Sequence, residues 1–181
     1  LPSCVRVVTD VMDTVGTATI GVWVGAGTRH EDAGLNGVSH LLEHMAFKGT
    51  RRRTARAIAE EIEAVGGYLN AYTTREYTAY YAKVLSEDTG LAIDLIADIL
   101  QHSTLEPSEL ERERTVILQE IGEAHDTPDD IIFDYFQEAA YPDQAIGRPV
   151  LGSPDLIRGL PREAVLGYMR DHYGAPAVTV A

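Results

Sequence analysis

The chain has 181 residues with a formal net charge of −13, and 45% of its residues are hydrophobic. This length is sufficient to bury a substantial core in one or two domains. The negative net charge argues against nucleic-acid binding, which needs a basic surface, and favours the binding of basic ligands. No apolar run approaches the 18 residues that a membrane-spanning helix requires.

The composition also bears on the cellular compartment. Cys4 is the single cysteine, so an internal disulfide is impossible and a reducing compartment is favoured. Together with the many alanine, glycine and arginine residues, this predicts the bacterial cytoplasm first, with the mitochondrial matrix and the periplasm as alternatives.

Hydrophobic periodicity, capping residues and turn residues predict a mixed chain of strands and helices. In chain order we predict strands over 6–9 and 18–24, a helix from Asn36 or Gly37 to Gly49, a helix over 54–65, a hairpin of strands over 68–73 and 76–84, helices over 86–102, 107–124, 127–141 and 161–172, and a strand over 177–181. The basic run Arg51–Arg53 is interpreted as a solvated turn between two helices. Because helices and strands do not alternate strictly, we expect an α+β fold: a mostly antiparallel sheet with helices packed on one side.

The segment His40–His44 carries the most informative motif in the chain. His40 and His44 are four residues apart, so their imidazoles lie on one face of the predicted helix and can bind one zinc ion. Glu43 can then reach a metal-bound water. This HxxEH order is typical of the inverted zinc-peptidase helix, although a bare match also arises by chance on exposed helices.

The apolar residues around the motif favour the functional interpretation. They predict a buried helix, in which unpaired polar groups are costly and a metal ion would supply a partner. These residues are Leu35, Val38, Leu41, Leu42, Met45 and Phe47.

A catalytic zinc usually has a third protein ligand, which two histidines leave open. In the predicted helix over 107–124, Glu113 and Glu120 fall on the apolar side. The apolar residues of that side are Leu110, Val116, Ile117, Ile121 and Ala124. Both glutamates are therefore ligand candidates, and spacing alone does not rank them.

Three segments in this order, HLLEHMAFKGT, GGYLNAYTTREYTAYYAKVL and ERERTVILQEI, resemble the pitrilysin-type inverzincin peptidases. The similarity extends over nearly the whole chain and is greatest to the mitochondrial processing peptidase β-subunit and its bacterial relatives. One departure is Ser3-Cys4, where relatives often carry Asn-Gly. The resemblance implies that Glu120 is the third zinc ligand and that Glu113 is a supporting acid.

The resemblance also implies how substrate is bound and how the protein is organised. The strand that contains Asn70, Ala71 and Tyr72 would form a sheet edge beside the zinc, to which a peptide adds as an extra strand. Phe47 either lines a pocket for the residue at the cut bond or belongs to the core. Residues 1–181 would form a zinc-binding catalytic N-terminal domain, paired with a homologous C-terminal domain or partner subunit, and a dimer is expected.

The sequence therefore predicts a zinc-dependent endopeptidase that hydrolyses peptides or presequences, with Glu43 activating the zinc-bound water. The main alternative is a non-catalytic subunit of the same fold that acts in substrate binding or assembly. A zinc-stabilised domain without catalysis is disfavoured, because structural zinc sites are cysteine-rich and this one has no cysteine nearby.

Overall fold

The computed structural model describes residues 4–181, so Ser3, at the departure noted above, lies outside the described residues. The strands are β1 (Arg6–Val7), β2 (Thr17–Val24), β3 (Tyr68–Thr73), β4 (Thr78–Leu85) and β5 (Val178–Val180). The helices are α1 (Val38–Ala46), α2 (Ala55–Ala64), α3 (Thr89–His102), α4 (Pro107–Asp126), α5 (Pro128–Ala140), α6 (Pro154–Gly159) and α7 (Arg162–His172). Among these described residues, none of the helices combines the length and the hydrophobicity that a membrane-spanning segment requires.

The five strands form one sheet in the order β1-β5-β2-β4-β3. All neighbours are antiparallel except β1 and β5, which are parallel. The residues of β2 and β4 alternate, so that Ile20, Val22, Tyr80 and Ala82 face the helices and are buried. The same apolar cluster contains residues of α2 and α3. The predicted α+β fold, with a mostly antiparallel sheet and helices on one side, is confirmed.

Helix α1 lies between two apolar clusters, and this position fixes the predicted metal site. Leu41, Leu42 and Met45 are at most 1% exposed and pack with residues of α4, α6 and α7, whereas Ala46 belongs to the cluster under the sheet. Each of the three large side chains contributes about 1.5–3 kcal/mol by burial. The polar residues between them are therefore held on a rigid element.

The beginning of α1 is fixed by a buried carboxylate. Glu31, which is 4% exposed, accepts hydrogen bonds from the backbone N–H groups of Gly37 and Ser39 at 2.9 and 2.8 Å and from the Asn36 side chain at 2.9 Å. A negative group at a helix N-terminus is favourable, because the first N–H groups have no partner inside the helix. Gly37 has φ of 98°, a left-handed conformation that favours glycine.

Some local predictions are wrong in extent or environment. Ser86–Asp88 form a 3₁₀ turn before α3, and α6 was not predicted because six residues are too few for a periodic pattern. Val116 is 37% exposed, since it lies about 100° from Ile117 and falls at the margin of the apolar stripe.

The basic run Arg51–Arg53 lies between α1 and α2 with Arg51 and Arg52 exposed, as predicted, but Arg53 is not solvated. The Arg53 side chain is only 11% exposed and pairs with Glu61 on α2 and with Asp94 and Asp98 on α3. Asp94 and Asp98 lie 41 and 45 residues further along the chain, so the sequence around Arg53 could not reveal these two partners.

Candidate metal centre

Three candidate ligands converge where α1 crosses α4. His40 and His44 project from α1, and their Nε2 atoms lie 3.7 and 3.6 Å from Oε2 of Glu120 on α4. Two donors bound to one tetrahedral zinc at about 2.0–2.1 Å are separated by roughly 3.3 Å. The observed separations are thus close to those of a chelating set. Two imidazole nitrogens and one carboxylate oxygen are also a donor set found in catalytic zinc sites.

The local environment keeps His40 in the state that a metal ligand needs. Burial, and secondly the proximity of His44, lowers the pKa of His40 to about 3. The ring is therefore neutral at physiological pH, with a free lone pair. Its Nδ1 atom is buried and has no hydrogen-bond partner within the described part of the chain. The neutral ring, with its Nε2 atom facing Glu120, and the donor set of this centre fit a zinc ion.

His44 is oriented by a buried carboxylate. Glu113, also on α4 and 5% exposed, accepts a hydrogen bond from Nδ1 of His44 at 2.9 Å. This bond turns Nε2 of His44 toward His40 and Glu120, as in the carboxylate–histidine–metal arrangement of many metal sites. The two glutamates of α4 thus differ in position: Glu120 faces both Nε2 atoms, whereas Glu113 lies behind one ring.

Glu43 lies on the same face of α1 and is half-buried beside the candidate ligands. Its Oε2 accepts a hydrogen bond from Oγ1 of Thr73 at 2.6 Å. Burial raises the pKa of Glu43, and Glu120 adds to this increase, while the Thr73 bond and His44 oppose it. A raised pKa favours exchange of a proton in both directions by a catalytic carboxyl group.

Thr73 is a site residue that the sequence did not identify. It is the last residue of β3 and lies two positions after Ala71, so both side chains face the helix layer. The alternation of side chains along the strand was visible in the sequence and could have identified Thr73 as a residue on the same face as Ala71. Its contact with Glu43 was not visible, because it joins β3 to α1 across thirty residues of sequence.

The predicted substrate strand, β3, is an edge of the sheet. It pairs with β4 on one side only and packs beside α1. The backbone N–H of Ala71 is bonded at 2.9 Å to Oδ1 of the neighbouring Asn70 side chain. Because Oδ1 is a side-chain acceptor, a peptide carbonyl at this edge could take its place.

The predicted substrate residues lie on two faces of β3. Ala71 is buried on the helix side, whereas Asn70 and Tyr72 are exposed on the opposite face. Phe47, at the end of α1, is half-buried, with its ring centroid 6.3 Å from that of Tyr80. It lines a cavity of about 260 Å³ between α2 and β3. Both the core and the pocket interpretations of Phe47 are compatible with this placement.

Comparison with known proteins identifies relatives over the whole chain. The family model described as insulinase (peptidase family M16) matches residues 6–154. A probable mitochondrial-processing peptidase subunit beta of Arabidopsis thaliana is 45% identical over 100% of this chain and 34% of its own length. The uncharacterized zinc protease YmxG of Bacillus subtilis is 43% identical over 98% of this chain and 43% of its own length. The chain therefore spans about two-fifths of the length of these curated relatives.

Solved structures share the fold. A protease from Helicobacter pylori matches with a TM-score of 0.94 and 24% identity, over 99% of this chain and 44% of that one. A peptidase M16 inactive domain from Pseudomonas fluorescens matches with a TM-score of 0.84 and 17% identity, over 92% of this chain and 41% of that one. At these identities the comparison supports the architecture alone.

Proposed function

Because the chain belongs to the insulinase family of peptidases (peptidase family M16), we propose that it is the zinc-binding catalytic domain of a zinc-dependent endopeptidase. The family assignment confirms the resemblance drawn from the sequence motifs. The observation that carries the proposal is the convergence of His40, His44 and Glu120 on one point, with Glu43 beside them. Relatives named as a zinc protease and a processing peptidase support the same chemistry.

We assign His40, His44 and Glu120 as the residues that would hold zinc, and Glu113 as the acid that orients His44. When bound, zinc would polarise the peptide carbonyl and make a water more acidic. Glu43 takes a proton from the attacking water and passes it to the leaving amine, and its raised pKa suits both steps.

The peptide would lie along the free edge of β3. Its main chain would bond to the strand, and its carbonyl would replace Oδ1 of Asn70 on the Ala71 N–H. Side chains of the peptide would then alternate between the helix side, near Phe47, and the exposed face of Tyr72. The net charge of −13 favours basic peptides, including presequences. A homologous domain or partner subunit would supply further contacts, and a dimer is expected.

The proposal is tested by measuring zinc content and peptide cleavage in the full-length protein, the Glu43→Gln variant and a control. Glu123→Gln is the matched control, because Glu123 is exposed on α4 one turn from the site. We expect about one zinc ion per protein molecule in all three proteins. Cleavage should fall by about 10²–10⁴-fold in Glu43→Gln alone.

Other outcomes would contradict the proposal in distinct ways. Zinc in all three proteins without cleavage of any peptide would favour a non-catalytic domain that acts in binding or assembly. Absence of zinc from the wild-type protein would refute the metal centre, and cleavage by Glu43→Gln at the wild-type rate would refute the assignment of the base.

A further inference from the structure

Glu113 has a partner at each of its carboxylate oxygens, a hydrogen bond at one and an ion pair at the other, and only one of the partners is a candidate zinc ligand. Oε2 contacts Nδ1 of His44 at 2.9 Å, and Oε1 contacts Nζ of Lys48 at 2.8 Å. Lys48 is four residues after His44, just beyond the end of α1. Glu113 thus contacts the ammonium group of Lys48 through one oxygen and the imidazole of His44, a candidate metal ligand, through the other.

We infer that Lys48 is a positioning residue that controls zinc affinity through Glu113. This inference rests on the proposed zinc site. The side chain of Glu113 is 7% exposed, so water cannot easily satisfy Oε1 if the lysine is removed. A buried acceptor without a partner is costly, and the carboxylate would rotate or shift to find another donor. Either movement would disturb the bond that holds the His44 ring.

Two effects of removing Lys48 oppose each other. A lysine near a dication repels it, so loss of the positive charge would tighten zinc binding slightly. Loss of the anchor on Glu113 would weaken binding, because outer partners of a metal-bound histidine typically contribute 10–100-fold to affinity. The Lys48 side chain is 31% exposed, so solvent screens its direct repulsion, and the anchoring effect should prevail. Lys48 contacts Glu113 and not the histidine itself, so its effect should be smaller. We expect zinc affinity to fall by about three- to tenfold.

The chain offers a matched control for the change in charge. Lys48 and Lys83 are the two lysines of the sequence, and Lys83 is exposed on β4. Zinc dissociation constants are measured on the full-length protein by competition with a chromophoric chelator. We expect Lys48→Met to bind zinc about three- to tenfold more weakly, and Lys48→Arg and Lys83→Met to remain within about twofold of wild type.

A double-mutant cycle separates positioning from a general structural effect. In a Glu113→Gln background, Lys48→Met should change zinc affinity by less than about twofold, because the carboxylate that connects Lys48 with His44 is already absent. Lys48→Arg keeps the inference testable if the methionine variant does not fold, since weak zinc binding by a folded arginine variant would contradict it.

The outcomes distinguish this inference from the proposed function. Unchanged or tighter zinc binding by Lys48→Met, or an equal loss in the Glu113→Gln background, overturns the role of Lys48 while the metal centre stands. A wild-type protein that binds no zinc overturns both.

Discussion

His40 should make the zinc-free protein sensitive to mild acid. Burial lowers the pKa of this histidine to about 3 in the folded state, compared with 6.5 for an unperturbed side chain. Between these values the unfolded chain binds a proton at this position and the folded chain does not. Stability therefore rises with pH across this window; His40 imposes no penalty above pH 6.5, and the penalty grows as pH falls toward 3.

The expected loss of stability is a substantial part of the free energy of unfolding of a typical domain. One pH unit within the window corresponds to about 1.4 kcal/mol, so lowering the pH from 7.5 to 5.0 should cost about 2 kcal/mol through His40. The assay is urea unfolding of the protein in a chelator at both pH values. His40→Asn should lose about 2 kcal/mol less than wild type over this interval. His125→Asn, at an exposed position on α4, is the matched control and should retain the wild-type pH dependence.

The comparison between variants removes the contributions of other titrating groups, which all three proteins share. If wild type and His40→Asn lost stability in parallel from pH 7.5 to 5.0, His40 would not be held neutral by burial. His40 would then not be kept neutral and ready to bind metal by its surroundings.

Two further predictions concern the groups around α1. Replacing Thr73 with valine removes a hydrogen bond that lowers the pKa of Glu43; the acidic limb of the pH–rate profile should therefore move to higher pH, and an unmoved limb would contradict the role of Thr73. Replacing Glu31 with glutamine presents an amide NH₂ to one of the donors of Gly37 and Ser39, which should lower the free energy of unfolding in urea by about 2–3 kcal/mol; a loss below about 0.5 kcal/mol would show that this carboxylate does not fix the start of α1.

Local signals were sufficient for most of the secondary structure. Thr54 was predicted to begin the second helix, and its hydroxyl accepts a hydrogen bond from the backbone N–H of Ala57. The hairpin of β3 and β4 was placed within two residues, because alternating apolar residues flank a polar turn. The parallel pairing of β1 with β5 was not predicted, because it joins opposite ends of the chain and β1 is only two residues long.

Some residues of the candidate site were predicted from helical spacing, and others only from the family resemblance. The positions of His40, His44 and Glu43 depend on helical spacing alone, and the structure places them together on α1. The rank of Glu113 and Glu120 depended on the family resemblance, because both lie on one side of α4. Their different neighbours became visible only when α4 was packed against α1.

The sequence by itself determined which groups are available and on which elements they lie, since helical and strand periodicities relate residues that are close in the chain. The family followed from motifs in a fixed order. The tertiary structure alone decided that Thr73 binds Glu43, that Lys48 binds Glu113, and that Arg53 is paired rather than solvated. Each of these contacts joins elements that are distant in sequence, and the angles at which helices and strands pack depend on the whole core rather than on any local pattern.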